Sequence, residues 1–261
     1  MKLLNIVKAL EGAPRRTARQ KLRKLFAPFG VKEEHYATGV NLVMRKPGKP
    51  QILLAAHYDT FPGCPGANDN FSGIAVLYGI AQELWKKNLP YGLTLCIFDE
   101  EELNCLGSYA YVQKHGIKDI KAVIDLELVG MGNVVGLWPV TKKTPLVSVF
   151  ESVLQKRKQQ YETIGKLAYF WADYQPFKEQ GVDSVCVTLI EKRDVKLMRD
   201  FLALNTVMLA AKYVFRTLKL PHFFQAYHTE HDTSAELNEK SLQLTKHIIL
   251  DVLKEYAAAR I

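Results

Sequence analysis

Short apolar runs alternate along the chain with longer stretches in which apolar residues recur every third or fourth position. Gln51–His57 (QILLAAH), Leu93–Phe98 (LTLCIF), Ala122–Leu128 (AVIDLEL) and Ser184–Ile190 (SVCVTLI) have strand length. The first two are apolar at nearly every position, as strands covered on both faces are. Helical spacing marks Gly73–Lys87, Ser108–Lys114, Pro145–Gln160 and a last stretch from about Ser234 to the C-terminus. Strands alternating with helices predict an α/β fold, a three-layer sandwich with a mixed, mostly parallel sheet flanked by helices. At the N-terminus Leu3, Leu4, Ile6, Val7 and Leu10 form one apolar face interrupted by Lys8. This reads as an amphipathic helix continuing into RRTARQKLRKLF, not as a cleaved secretory signal. No repeat, low-complexity tract or Pro/Gly/Ser-rich linker divides the chain, so residues 1–261 read as a single domain. The segment at about 191–226 exceeds an ordinary strand-to-loop connection and reads as a helical insertion.

In a parallel sheet of this kind ligands bind beyond the carboxyl ends of the strands. Polar residues collect there. The first run leads into His57-Tyr58-Asp59, the second into Asp99-Glu100-Glu101-Glu102, and the third carries Asp125 and Glu127. Such groups are costly to bury unless neutralised, and four successive carboxyl groups beside an apolar strand call for a cation. Imidazole with carboxylates and no thiolate is the donor set of zinc or a similar first-row ion in an open, catalytic site. Magnesium and calcium prefer all-oxygen shells. His57 and Asp59 share one side of an extended segment, which places Asp59 to take the second imidazole N–H. Asp69 is the one acid of the Gly- and Asn-rich turn Gly66–Gly73 (GANDNFSG) that opens a helix. It is either a helix cap or a carboxylate held between two cations. Glu101 and Glu102 are adjacent and can point apart, one to a metal and the other free to move protons. YHTEHDT supplies His228 and His231, of which His231 reads as a surface histidine. His35, His115, His222 and His247 read as ordinary, without acidic partners.

Composition narrows the function classes. With 48% hydrophobic and 24% charged residues over 261 positions, the chain is no disordered segment. No apolar run approaches the roughly 20 residues of a membrane helix, which argues against a spanning protein. The 35 Lys+Arg against 27 Asp+Glu, a net +8, raise the question of an acidic partner. The excess sits mainly in Arg15–Lys24 and Lys156–Lys158, without aromatic interleaving, and reads as solvated helix faces. Neither nucleic acid nor a membrane is expected as partner. Four cysteines, none in a C-x-x-C pair, indicate neither a zinc ribbon nor a redox motif, and Cys96 and Cys186 read as buried thiols. A reducing, cytoplasmic setting is expected.

The motifs AAHYDT, GANDNFSG, FDEEELNCLGS, AVIDLELVG, ADYQPF and YHTEHDT resemble, in order, those of the zinc aminopeptidase family of peptidases, family M-28. That family includes bacterial leucyl aminopeptidases, glutamate carboxypeptidases and glutaminyl cyclases. The motifs span about residues 50 to 235. The resemblance implies a phosphorylase/hydrolase-like fold of zinc peptidase type holding two divalent ions, zinc in kind, bridged by Asp69. His57 and Glu127 would complete one shell, Glu102 and His228 the other, and Glu101 would be the general base with Asp59 supporting it. Phe98 before the Glu pair and Gly107-Ser108 after it set a register that makes Asp99 and Glu100 non-ligands. Asp173 would lend second-sphere support, and Asp232 would hold His228 or cap the last helix. A cis bond is implied at Asp69–Asn70. Two departures stand out: Glu127-Leu128-Val129-Gly130 where many members have Asp-Met-Val-Gly, which leaves Asp125 as an alternative ligand, and Asn104-Cys105 where Gly-Leu is common, which alters pocket shape. The implied activity is that of a metal-dependent exopeptidase, an aminopeptidase acting on peptides, with Glu101 taking the proton of a water held between the metals. A glutaminyl cyclase-like acyltransferase, commonly with one zinc, and a non-catalytic binding protein on the same fold are the alternatives. Phe223, Phe224 and Tyr227 are placed near the metal ligand, with Trp138, Trp171 and Phe177 as core or pocket wall.

Overall fold

The four apolar runs form the middle of one eight-stranded sheet, and all four run parallel to one another. In chain order the strands are β1 (Lys32–His35), β2 (Val40–Lys46), β3 (Gln51–His57), β4 (Gly92–Phe98), β5 (Ile120–Leu126), β6 (Val134–Trp138), β7 (Tyr161–Thr163) and β8 (Asp183–Ile190). Their spatial order is β1-β2-β4-β3-β5-β8-β6-β7. The parallel middle, β4-β3-β5-β8, is bordered by antiparallel pairings of β2 on β4 and β6 on β8. The sheet is therefore mixed and its centre parallel, as the hydrophobic pattern predicts. The computed structural model describes residues 1–165, 171–202 and 221–258.

Helices flank the sheet: α1 (Leu3–Leu10), α2 (Arg15–Phe26), α3 (Ser72–Leu84), α4 (Leu106–His115), α5 (Pro145–Lys156), α6 (Gln175–Glu179), α7 (Val195–Leu202), α8 (His222–Ala226) and α9 (Glu239–Ala258). The start of α5 shows how sequence sets a boundary. Pro145 occupies the first turn, where its missing N–H costs nothing, and the Thr144 hydroxyl accepts the Val147 N–H at 3.3 Å. The last helix begins at Glu239, later than its periodicity suggests, because Asn238 caps it by accepting the Ser241 N–H at 2.9 Å.

The N-terminal helix is not continuous. Gly12 takes a left-handed φ of 66° and Pro14 cannot donate to a preceding turn, so the chain breaks and restarts as α2. The first helix buries Leu3, Ile6, Val7 and Leu10. The Glu239 carboxylate fixes its free end by accepting the Leu3 and Leu4 N–H groups at 3.1 and 2.8 Å. Of the insertion expected at 191–226, α7 and α8 form the two ends, and 203–220 lies outside the described residues. All four cysteines are free and buried. Trp138 and Phe177 belong to the core, whereas Trp171 is exposed.

Candidate metal centre

Sheet register brings the acids and histidines together. His57 is the last residue of β3 and pairs with Phe98, so the β4 tip that follows, Asp99 to Glu102, leaves the sheet beside it. Ala55 pairs with Asp125, and the same register continued by two residues sets His57 level with Glu127. The turn Ala67–Phe71 faces these strand ends. Its first residue follows Gly66, whose left-handed φ of 75° and close neighbour Thr60 leave no room for a side chain. Asp69 and Asn70 depart from helical geometry within the turn, and their peptide bond is cis. Asp69 is thus no helix cap; its carboxylate is turned into the strand ends.

The turn is held there by the side chains of Asn68, Asn70 and Ser72 and by Asp232. Asn68 Oδ1 accepts the Gly130 N–H at 2.8 Å, and Asn70 Nδ2 donates to the Leu126 carbonyl at 2.7 Å. Ser72 Oγ donates to the Asn68 carbonyl and accepts the Val129 N–H. Asp232, expected to hold His228 or cap a helix, instead accepts the N–H groups of Asn68 and Asp69 at 2.7 and 3.0 Å. Its carboxylate therefore fixes the backbone of the central aspartate. Burial first, and the nearby Asp69 charge second, push its pKa up to about 6.

Asp69 presents its two oxygens to two histidines. Oδ1 lies 3.1 Å from His57 Nε2 and Oδ2 3.3 Å from His228 Nε2. Glu127 Oε2 is 3.5 Å from His57 Nε2, and Glu102 Oε2 is 2.9 Å from His228 Nε2. Two of the resulting donor triads, His57–Asp69–Glu127 and Asp69–Glu102–His228, share one carboxylate. Glu101 stands beside them with Oε2 3.8 Å from His57 Nε2, and His57, Glu101 and Glu102 form a further group of three donors within 4.8 Å of one another. His228 has a left-handed φ of 58° and is sandwiched between Phe61, at a centroid distance of 4.4 Å, and Tyr227, at 3.7 Å. Tyr227 in turn packs edge-on against Phe224; the side chain of Phe223 lies outside the described residues. His231 is exposed, as expected.

The residues present fit a pair of divalent cations. Asp69, Glu101, Glu102 and Glu127 set four carboxylates against two imidazoles, an excess of negative charge in a buried place. Glu102 Oε1 and Glu127 Oε1 are buried and accept no hydrogen bond. His57 Nδ1 faces the Asp59 carbonyl oxygen at 3.0 Å, which fixes the N–H there and leaves the Nε2 lone pair for a metal. The nearest Asp59 carboxylate oxygen is 3.5 Å away. That carboxylate is engaged elsewhere, accepting the N–H groups of Glu101 and Glu102, each at 3.1 Å. Asp59 thereby ties the histidine to the glutamate pair. Asp125, the alternative to Glu127, accepts the Tyr174 N–H at 2.8 Å and joins neither triad. Asp173 is fully buried with both oxygens unpartnered, and burial, reinforced by the Asp125 charge, drives its pKa well up.

Three other readings are corrected by contacts between segments distant in sequence. His115 Nε2 lies 2.6 Å from Glu34 Oε2, and His222 Nδ1 3.0 Å from Glu191 Oε2, so neither lacks an acidic partner. Arg15, though partly exposed, is not a free surface charge: it pairs with Asp99 and Glu100. The cation demanded by the run of four acids is thus divided: Arg15 serves Asp99 and Glu100, Glu102 joins a donor triad, and Glu101 stands beside His57. At the second departure from the family pattern, Asn104 and Cys105 both adopt left-handed φ, 65° and 60°. Asparagine is among the few side chains that tolerate this where glycine is usual.

Protons compete with metal at this centre, and the direction can be stated. Burial opposes the His228 imidazolium, but hydrogen bonds and charge from Asp69 and Glu102 outweigh it and raise its pKa from 6.5 to about 9. Burial likewise opposes the Asp69 carboxylate, and His228 and His57 outweigh it, lowering the value from 3.8 to about 2. In the metal-free protein, His228 contributes stability in full below pH 6.5 and loses it as pH rises through about 9. Asp69 contributes above pH 3.8 and loses its contribution as pH falls through about 2. A metal must displace the His228 proton. The His57 proton must leave as well: burial opposes it, but Glu127 and Glu101 outweigh burial and raise its pKa. Zinc affinity is therefore expected to rise with pH through about 9, with protons released on binding. Calorimetric titration in buffers of different ionisation enthalpy measures this, and a pH-independent affinity would contradict it.

An α/β sheet ending in two imidazole–carboxylate triads that share an aspartate is an arrangement suited to holding divalent metal ions. The model of peptidase family M28 matches residues 41–253, and the chain belongs to that family. It is 31% identical over 139 residues to aminopeptidase YwaD of Bacillus subtilis, a match covering 51% of this chain and 30% of that protein. It is 29% identical over 168 residues to a vacuolar membrane protease of Candida tropicalis, covering 61% of this chain and 18% of that protein. The chain thus corresponds to less than a third of either relative. Among solved structures, glutaminyl cyclase from Porphyromonas gingivalis superposes with a TM-score of 0.69 at 19% identity, covering 97% of each chain. That likeness is one of fold.

Proposed function

We propose that the protein is a metal-dependent exopeptidase, an aminopeptidase that removes N-terminal residues from peptides with the help of two divalent cations, zinc by the nature of the donors. One observation carries this reading: the two oxygens of Asp69 face two histidines that belong to separate donor triads. His57, Asp69 and Glu127 would hold one ion, and Asp69, Glu102 and His228 the other. When bound, such a pair supplies an acidified water and an electrophilic partner for a carbonyl oxygen.

The remaining work falls to the chain itself. Glu101 is the carboxylate of the cluster that is assigned to neither ion, and burial, with the charges of Glu127, Asp173 and Asp69, raises its proton affinity against the opposing His57. In this reading it takes a proton from the nucleophile and returns it to the departing amine. Asp59 keeps Glu101 and Glu102 in fixed relation through their backbone N–H groups. None of the five donors is missing, which favours an enzyme over a binding protein on the same scaffold.

The test is release of nitroaniline from a panel of aminoacyl-p-nitroanilides, its loss on chelation and its return with zinc. The same protein is offered peptides with N-terminal glutamine. Ammonia released from those peptides, without release of free amino acids from any substrate, would replace this reading with glutaminyl cyclisation.

A further inference from the structure

Asp99 and Glu100 stand directly before the Glu101–Glu102 pair, yet neither faces the metal donors. Asp99 is fully buried and Glu100 is 3% exposed, with a left-handed φ of 58° at Glu100. Arg15, at the start of α2, meets both. Its Nε lies 2.6 Å from Asp99 Oδ1, and its Nη2 donates to Asp99 Oδ2 at 2.7 Å and to Glu100 Oε1 at 3.0 Å. Among the described residues no other cation lies within ion-pair distance of either acid. Neutral donors complete the cluster: Tyr58 Oη and the Val40 N–H on Asp99 Oδ2, and Thr38 Oγ1 on Glu100.

The same short stretch of chain touches the other two loops of the centre. The Gly12 N–H donates to the Pro65 carbonyl at 2.8 Å, just before the turn that carries Asp69. The Glu11 carboxylate accepts the Ser234 N–H and hydroxyl at 2.6 and 2.7 Å, a few residues beyond His228. Residues 11–15 thus strap together three loops that each deliver a metal donor, from a position upstream of the family match.

We infer that Arg15 is a positioning residue of the metal centre, acting through Asp99 and Glu100 to hold the turn that aims Glu101 and Glu102. The inference rests on the reading of those two glutamates as base and ligand. Two adjacent buried carboxylates repel each other and the acids of the centre, and the planar guanidinium answers both at once in a way an ammonium cannot. Without it the turn must open to hydrate them, and the next two residues move with it.

The experiment compares Arg15→Met, Arg15→Lys and the triple variant Arg15→Met/Asp99→Asn/Glu100→Gln, with Arg16→Met as an exposed neighbour control. Zinc affinity is measured by competition with a chromogenic chelator, alongside circular dichroism and nitroanilide kinetics. Arg15→Met is expected to weaken zinc binding about 10–100-fold and to lower kcat more than it raises KM, with helix content unchanged. Arg15→Lys should recover part of the loss, the triple variant most of the zinc affinity, and Arg16→Met should match the parent. Should Arg15→Met not fold, the triple variant, which carries no unpaired buried charge, decides by its zinc affinity. Parental zinc affinity in folded Arg15→Met, or a triple variant as impaired as the single one, would overturn the inference. A parent that binds zinc but cleaves no peptide would refute the proposed activity and leave the zinc comparison standing.

Discussion

Glu101→Gln is expected to lower peptide hydrolysis about 10²–10⁴-fold while leaving the metal content of the protein unchanged. The change is nearly isosteric and keeps the backbone N–H that Asp59 accepts at 3.1 Å, so the turn and its neighbour Glu102 stay in place. What disappears is the capacity to hold a proton. Both donor triads that share Asp69 are complete without Glu101, which is why metal binding and turnover should separate in this variant. Steady-state kinetics on an aminoacyl-nitroanilide, with zinc determined by mass spectrometry on the same sample, read the two quantities together. Parental turnover in the glutamine variant would remove Glu101 from the role of base.

The second large effect is expected at the shared aspartate. Asp69→Ala deletes one donor from each triad in a single step, and zinc retained after dialysis should fall from about two ions per chain to near none. Loss of a donor from only one triad, as in Glu127→Ala, should leave one tightly held ion. This contrast distinguishes a bridge from a ligand to a single metal. Two retained ions in Asp69→Ala would rule the bridge out. Because Asn68, Asn70, Ser72 and Asp232 fix the surrounding backbone, circular dichroism of the variant should match the parent.

Much of this architecture is legible along the chain because burial on both faces leaves an unmistakable mark. The strands β3 and β4 carry apolar residues almost throughout, and polar groups at their carboxyl ends stand out against them. The outer strands leave no such mark. The sequence of β1 is Lys-Glu-Glu-His, fitting for a short charged edge; β6 is interrupted by Gly136; β7 has three residues. At the centre, acids and imidazoles are conspicuous because few other reasons place them beside apolar strands. Asn68, Asn70 and Ser72 are not, since their partners lie 56 to 62 residues away at the end of β5 or close by within the turn itself. A cluster of small amides flanking the one acid of a turn was the available signal. Arg15 gave none: in sequence it is one of several basic residues on a helix, and its meaning arises only where Asp99 meets it across 84 positions.

The strap formed by residues 11–15 also bears on where this protein can be cut. The matched family region, 41–253, omits α1, α2 and β1. A fragment trimmed to it would leave Asp99 and Glu100 without their cation. Removing one partner of a fully buried ion pair costs about 3–5 kcal/mol; with Arg15 42% exposed the cost here is smaller. That loss would come on top of baring the surface that Leu3, Ile6, Val7 and Leu10 now cover against α3 and α9. Against a typical domain stability of about 5–15 kcal/mol, those losses are not marginal. The span matched by the family model therefore begins some 40 residues inside the set of segments that pack together in this chain, and recombinant expression or domain grafting should keep those residues.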